Sequence, residues 1–203
     1  MNVFFKNIDW QNIEYVGFDM DGTLYDEIDF ISQVYSKICS FLNEGAFDFM
    51  LNRWLEKGSS YSKIFEEAYA NFNINLSISK NDFIKESLNI FRSFEPTLKL
   101  TTRVVYFLEL YKKEYKLFLV TDGNPDLQRR KFETLDLFRY FENKYVVFTG
   151  KYGIDYEKPS TKAIDLLKIE PARTVFFGDR KKDEIFALSS GMQFQKVYNM
   201  IVI

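Results

Sequence analysis

Two kinds of apolar pattern alternate along this chain. Short unbroken runs of four to six residues recur at 15–19, 116–121 (KLFLVT), 145–149, 174–178 (TVFFG) and 194–198. Their length, aromatic content and lack of polar alternation predict strands buried on both faces. Between them, apolar residues recur every three or four positions, which predicts helices. The longest such region follows the first strand. Ile31, Val34, Ile38, Phe41 and Leu42 mark one helix, and Phe47, Met50, Leu51 and Trp54 a second that breaks at Gly58 and Ser59. Ile64, Phe65, Ala68 and Phe72 mark a third. A fourth carries Phe83, Leu88 and Phe91, with Asn81 or Asp82 as its cap.

Residues 26–94 are too long to be a loop, and they read as a small helical domain inserted after the first strand. Pro96 marks the return. Helices are then expected at 101–113, from Pro125 to 135, from Lys158 and Pro159 to 167, and at 182–190. Residues 1–13 form a short lead-in. Strands alternating with helices predict an α/β fold whose parallel sheet is covered on both faces. The expected organisation is a main domain of residues 1–25 and 95–203 with the helical domain at 26–94.

Composition narrows the chemistry. The chain has 203 residues, 46% of them apolar, so a sizeable core can form. Its net charge of −2 gives no broad attraction to nucleic acid or anionic membrane, so neither partner is expected. There is no membrane-length apolar run, and the opening MNVFFKNIDWQN lacks the layout of a signal peptide. The lone Cys39 forms no internal disulfide, which suits a reducing cytoplasm. There is no histidine, which excludes serine–histidine and cysteine–histidine catalysis and histidine-ligated zinc. Chemistry must run on carboxylates, lysine, hydroxyls and a hard metal. The 22 Phe and 13 Tyr read as core filling.

In parallel sheets of this kind ligands bind beyond the carboxyl ends of the strands. Asp19, Thr121 and Asp179 each stand at the end of a different expected strand. Asp19 and Asp21 are followed by Gly22, which lets the backbone turn sharply. A calcium loop would need glycine and glutamate where Leu24 and Phe30 stand, so that reading fails. The set suits attack on a phosphate monoester. Asp19 and Asp179 are hard oxygen ligands for magnesium or manganese. Thr121 offers a hydroxyl to a phosphoryl oxygen, and Lys158 a fixed positive charge. Asp183, one helical turn past Asp179, can hold a metal-bound water.

These stretches resemble the motifs of the haloacid dehalogenase superfamily. FDMDGTL is similar to its first motif, LVTDG to the second, YEKP to the third and FFGDRKKDE to the fourth. The resemblance spans Tyr15 to about Ser190 and implies a Rossmann-like doubly wound core with residues 26–94 as a helical cap closing over the substrate. It implies Asp19 as nucleophile, Asp21 as acid/base and as a metal ligand through its carbonyl, and Thr121 and Lys158 as catalytic partners. Phosphate would be held by Thr121, Asp122, Gly123 and Lys158, and Mg2+ or Mn2+ by Asp19, Asp21, Asp179 and Asp183.

Asp122 departs from the Asn or Ser often found there. A carboxylate beside phosphate repels it, so Asp122 either points away or reads a cationic or hydroxyl-bearing part of the substrate. The basic clusters Arg129–Lys131 and Arg180–Lys182 read as solvated helix surface. The leading expectation is a magnesium-dependent phosphatase of a small phosphorylated metabolite. A phosphosugar mutase or phosphotransferase is the alternative on the same residues. Dehalogenation does not need Asp21, and a silent scaffold would not need the whole set.

Overall fold

The first strand, β1 (Tyr15–Phe18), is apolar on both faces because both are covered. It lies at the centre of a sheet that the computed structural model describes within residues 5–73 and 78–202. Around it are β2 (Lys116–Thr121), β3 (Val146–Phe148), β4 (Thr174–Gly178), β5 (Gln193–Tyr198) and β6 (Ile201–Val202). The order is β3-β2-β1-β4-β5-β6. The first five run parallel, and β6 is an antiparallel edge strand absent from the sequence reading.

Eight α-helices are described: α1 (Glu27–Cys39), α2 (Ala46–Lys57), α3 (Ile64–Phe72), α4 (Lys80–Ser93), α5 (Thr102–Tyr111), α6 (Pro125–Thr134), α7 (Ala163–Leu167) and α8 (Lys181–Ser189). The fold is α/β, Rossmann-like and doubly wound. The chain divides into two compact units, Met1–Glu27 with Thr97–Ile203, and Ile28–Pro96. Of the lead-in, residues 1–4 lie outside the described residues.

Sheet register sets the core of the first unit. Gly17 pairs with Phe118 of β2 on one side and Phe176 of β4 on the other. A Cβ on Gly17 would fall 2.1 Å from Cζ of Phe118, so the missing side chain makes room for that ring. Phe118 and Phe176 pack with Phe186 of α8 and with Ala163 and Leu167 of α7. On the opposite face Phe18 stacks on Phe177 at 5.4 Å, and Tyr111 of α5 stacks on Phe177 at 6.0 Å. Rings thus fill both layers, as the composition predicted.

The second unit is helical. Phe30, Val34, Ile38, Met50, Phe65 and Phe83 are buried in it, and Phe91 meets Phe30 edge-on at 5.3 Å. Its fourth helix is capped by Ser79, whose hydroxyl accepts the Asp82 amide at 3.2 Å, two or three residues before the Asn81 or Asp82 expected from sequence. Among the described residues no helix is long and apolar enough to cross a membrane.

One expected helix is much shorter than foreseen. α7 begins at Ala163, not at Lys158. The contrast with α6 gives the reason. Asn124 precedes Pro125 and caps the helix by accepting the Leu127 amide at 3.0 Å. Lysine, which precedes Pro159, has no acceptor to offer. Its own amide donates instead to Asp122 Oδ1 at 3.0 Å.

Candidate active site

Three adjacent central strands end in the groups that matter. Asp19 follows β1, and its amide continues the ladder to Phe177 at 2.9 Å. Thr121 closes β2 and Asp179 follows β4. The backbone comes close here. Gly22, at φ 78°, leaves space that a Cβ would occupy 2.7 Å from Asp179 Oδ2. Gly178 leaves room for Asp183, whose Cβ would lie 2.4 Å from an added one.

Lys158 reaches in from the loop before α7. Its ammonium lies 2.6 Å from Asp19 Oδ1 and 2.6 Å from Asp183 Oδ1, with the side chain fully enclosed. Carboxylate oxygens of Asp19, Asp179 and Asp183 lie within 4.8 Å of one another. Three oxygen donors at that spacing, with no nitrogen or sulfur among them, fit a hard divalent cation.

The charges in this cluster explain its titration. Burial pushes Asp19 up to about 8, with Asp183, Asp179 and Asp21 adding to the rise and Lys158 opposing it. Asp179 is raised to about 6, again by burial first, opposed by Arg180 and helped by Asp183 and Glu27. Burial alone would lower the Lys158 ammonium, but Asp183, Asp19 and Asp122 hold it raised.

Asp21 stands apart from the triad. Its Oδ1 accepts the Lys131 ammonium at 2.7 Å and the Tyr25 hydroxyl, and its Oδ2 accepts Gln128 Nε2 at 2.7 Å. Burial works to raise Asp21, but Lys131, with Tyr25 and Gln128 behind it, holds it down at about 2. Its carboxylate is therefore engaged elsewhere, and any part in holding a cation falls to its backbone carbonyl.

Asp122 is turned into the protein. Oδ1 accepts the Thr149 hydroxyl at 2.9 Å and the Lys158 amide, and Oδ2 accepts the Lys182 ammonium at 2.7 Å. Of the two sequence readings the geometry favours the one in which it points away. Gly123, at φ 107°, has open space around its Cα, and Gly150 lies against its carbonyl.

The basic clusters correct part of the sequence expectation, although Arg129 is exposed as foreseen. Lys131 is 3% exposed and sits on Asp21. Lys182 pairs with Asp122, while Arg180 pairs with Glu27 and stands 3.5 Å from Asp179. Only Lys181, with a side chain 75% exposed, behaves as solvated surface among these three partners of α8. Gln128 and Tyr25 were not singled out from sequence, and Lys131 and Lys182 only as solvated surface. One signal for Gln128 and Lys131 was present: Leu127, Gln128, Lys131 and Phe132 share one helical face.

Comparison with known proteins gives the family and the fold. A family model described as haloacid dehalogenase-like hydrolase matches residues 16–197. The chain belongs to that family of hydrolases. Its fold is similar to a Bacillus subtilis HAD hydrolase, YfnB, solved with magnesium, at a TM-score of 0.70 and 13% identity over 92% of this chain and 87% of that one. A Thermotoga maritima protein provisionally assigned as a β-phosphoglucomutase superposes at 0.65 with 25% identity, covering 91% of this chain and 85% of its own. A curated relative, glyceraldehyde 3-phosphate phosphatase of Pyrococcus furiosus, is 32% identical over 89 residues. That match takes in 42% of this chain and 36% of the relative, so it spans about a third of the relative's length.

Proposed function

We propose that this hydrolase is a magnesium-dependent phosphatase that hydrolyses a small phosphorylated metabolite through an aspartyl-phosphate on Asp19. The observation that carries the reading is the placement of Asp19. It lies against Lys158 on one side and within the carboxylate triad on the other, while Asp21 is held separately two residues on. The partial likeness to a phosphatase supports the same reaction class.

Asp19, Asp179 and Asp183, with the Asp21 carbonyl, would hold the cation. When bound, a divalent cation draws charge from the phosphoryl oxygens and favours the ionised form of Asp19. Lys158 fixes the Asp19 carboxylate and offers its charge to the incoming group. Asp19 attacks phosphorus, and the bond to the leaving oxygen breaks as Asp21 protonates that oxygen. In the free protein Lys131 keeps Asp21 ionised, so the proton enters with the substrate monoanion. Asp21, ionised again, then takes a proton from the water that hydrolyses the aspartyl-phosphate. Residues 28–96 act in this reading as the cap that sets selectivity. A reducing cytoplasm suits the partly buried Cys39 thiol, which burial pushes up to about 11.

The test is a screen of phosphorylated metabolites with magnesium, followed by two variants. Asp19→Asn should abolish turnover and give no phosphoenzyme. Asp21→Asn should give a burst on 4-nitrophenyl phosphate and then stall, with phosphate on Asp19 in the mass spectrum. Steady turnover by Asp19→Asn would overturn the mechanism. Transfer of phosphate to a second sugar hydroxyl, with little release to water, would identify a mutase instead.

A further inference from the structure

Helix α6 turns two polar side chains inward where an amphipathic helix would place apolar ones. Leu127 and Phe132 anchor its inner face, and Gln128 and Lys131 on that face are 2% and 3% exposed. An ammonium buried this deeply is costly unless a carboxylate and hydrogen bonds offset it. Here the offset is Asp21 at 2.7 Å. Gln128 does more than pair with the same carboxylate. Its Nε2 lies 2.7 Å from Asp21 Oδ2 and 2.7 Å from Thr121 Oγ1.

The amide orientation follows from chemistry. An ionised carboxylate only accepts, so the nitrogen must face Asp21. The second N–H then reaches the Thr121 oxygen. Thr121 thereby accepts from Gln128 and keeps its own O–H to donate away from the helix. One side chain thus ties the end of β2 to the loop after β1, and sets the direction of the threonine proton.

We propose that Gln128 and Lys131 are positioning residues for the reaction: together they hold the Asp21 carboxylate at a fixed spacing from the Thr121 hydroxyl, so that proton transfer to the leaving oxygen and donation to the phosphoryl group occur from one rigid frame. The inference rests on the phosphatase reading. Neither side chain is given a contact with substrate. A purely structural ion pair would stabilise the fold without discriminating among leaving groups. A positioning pair must matter most where the leaving oxygen most needs its proton.

The experiment uses the full chain with magnesium and two probes, phenyl phosphate and 4-nitrophenyl phosphate, the second having the better leaving group. Gln128→Met keeps the volume and removes both hydrogen bonds. It should lower kcat on phenyl phosphate roughly tenfold to a hundredfold, a share of what general acid–base catalysis contributes. The loss on 4-nitrophenyl phosphate should be smaller, with KM for both within about threefold of the parent. Lys131→Met should behave likewise, and Lys131→Arg should recover part of the lost phenyl phosphate turnover. Should Lys131→Met fail to fold, Gln128→Met decides alone, since it leaves no buried charge unpaired by its own removal.

Parent kcat on both probes in Gln128→Met would overturn the proposal. So would an equal loss on both probes with a matching fall in the unfolding midpoint. The two readings fail separately. Turnover by Asp19→Asn sinks the phosphatase mechanism itself. An inactive Asp19→Asn beside a fully active Gln128→Met removes only the positioning role.

Discussion

Asp122 shows how one carboxylate can sit beside the proposed phosphate site without opposing it. Its oxygens are occupied by Thr149, the Lys158 amide and Lys182. Burial would raise it, but the charges of Lys158 and Lys182 and the hydrogen bonds hold it below the usual range. Asp122→Ala leaves the Lys158 amide and the Lys182 ammonium without this acceptor and the Thr149 hydroxyl with only the longer contact to the Thr121 carbonyl, at 3.3 Å. The expected cost is about 1–3 kcal/mol in urea unfolding at neutral pH, more than Asp122→Asn, which keeps the Oδ1 acceptor. Equal stability of the two variants would show that the hydrogen bonds from Thr149 and Lys158 contribute nothing. Five of the acidic, hydroxyl and lysine positions of the site were readable because they stand at or just past the end of an apolar run or beside a proline, and Asp183 because it lies one helical turn past Asp179. Gln128, Lys131 and Lys182 were not. On a single sequence a lysine in a helix looks like solvent-facing charge. Only the spacing of Leu127 and Phe132 tells which face of α6 turns inward.

At the level of elements, apolar runs located β1, β2 and β4 to within a residue, because strands buried on both faces need no alternation. The short α7 and the edge strand β6 escaped. A start at Pro159 is plausible from composition, yet depends on whether the preceding side chain can cap. The turn before β6 places Asn199 and Met200 at φ 50° and 58°, which residue type alone does not announce. That turn donates the Asn199 amide to Gly22 at 2.7 Å and the Met200 amide to Thr23 at 3.0 Å, bracing the loop that carries Asp21. The strand prediction concerns Gly17. Its missing Cβ is filled by the rigid Phe118 ring, so Gly17→Ala must shift a strand or an aromatic side chain. A loss of about 1–3 kcal/mol is expected from overpacking, read as a lower urea midpoint with an unchanged slope. Parental stability would mean that the ring moves freely.

For the whole molecule the central question is how a fold holds three carboxylates together. Asp19 and Asp179 are raised to about 8 and about 6 in the metal-free protein. A carboxylate raised on folding contributes stability that is complete below its unfolded value and lost as pH rises through its folded one. The metal-free protein should therefore lose stability between about pH 4 and about pH 8, more steeply up to about pH 6, where both groups contribute, than above it, where only Asp19 does. Asp21, held at about 2, works in the opposite sense, and its contribution fades only below about pH 4. Magnesium, bound to the native state as proposed, should flatten this loss. A urea midpoint that stays level from pH 4 to 8 in chelator, on the scale of about 1 kcal/mol per pK unit, would refute this account.

The strand order β3-β2-β1-β4-β5-β6 has a kinetic consequence. Sheets open from their edges, and amides in the middle exchange with solvent only when the whole domain lets go. Asp19, Thr121 and Asp179 are carried by the three innermost parallel strands, with β3 on one flank and β5 and β6 on the other. In heavy water, amides of β6 and β3 should exchange first, and those of Val16–Phe18 last, at the rate of global opening. Partial fraying would then leave the chemistry intact. Enzymatic decay on heating and complete loss of structure should share a single rate constant.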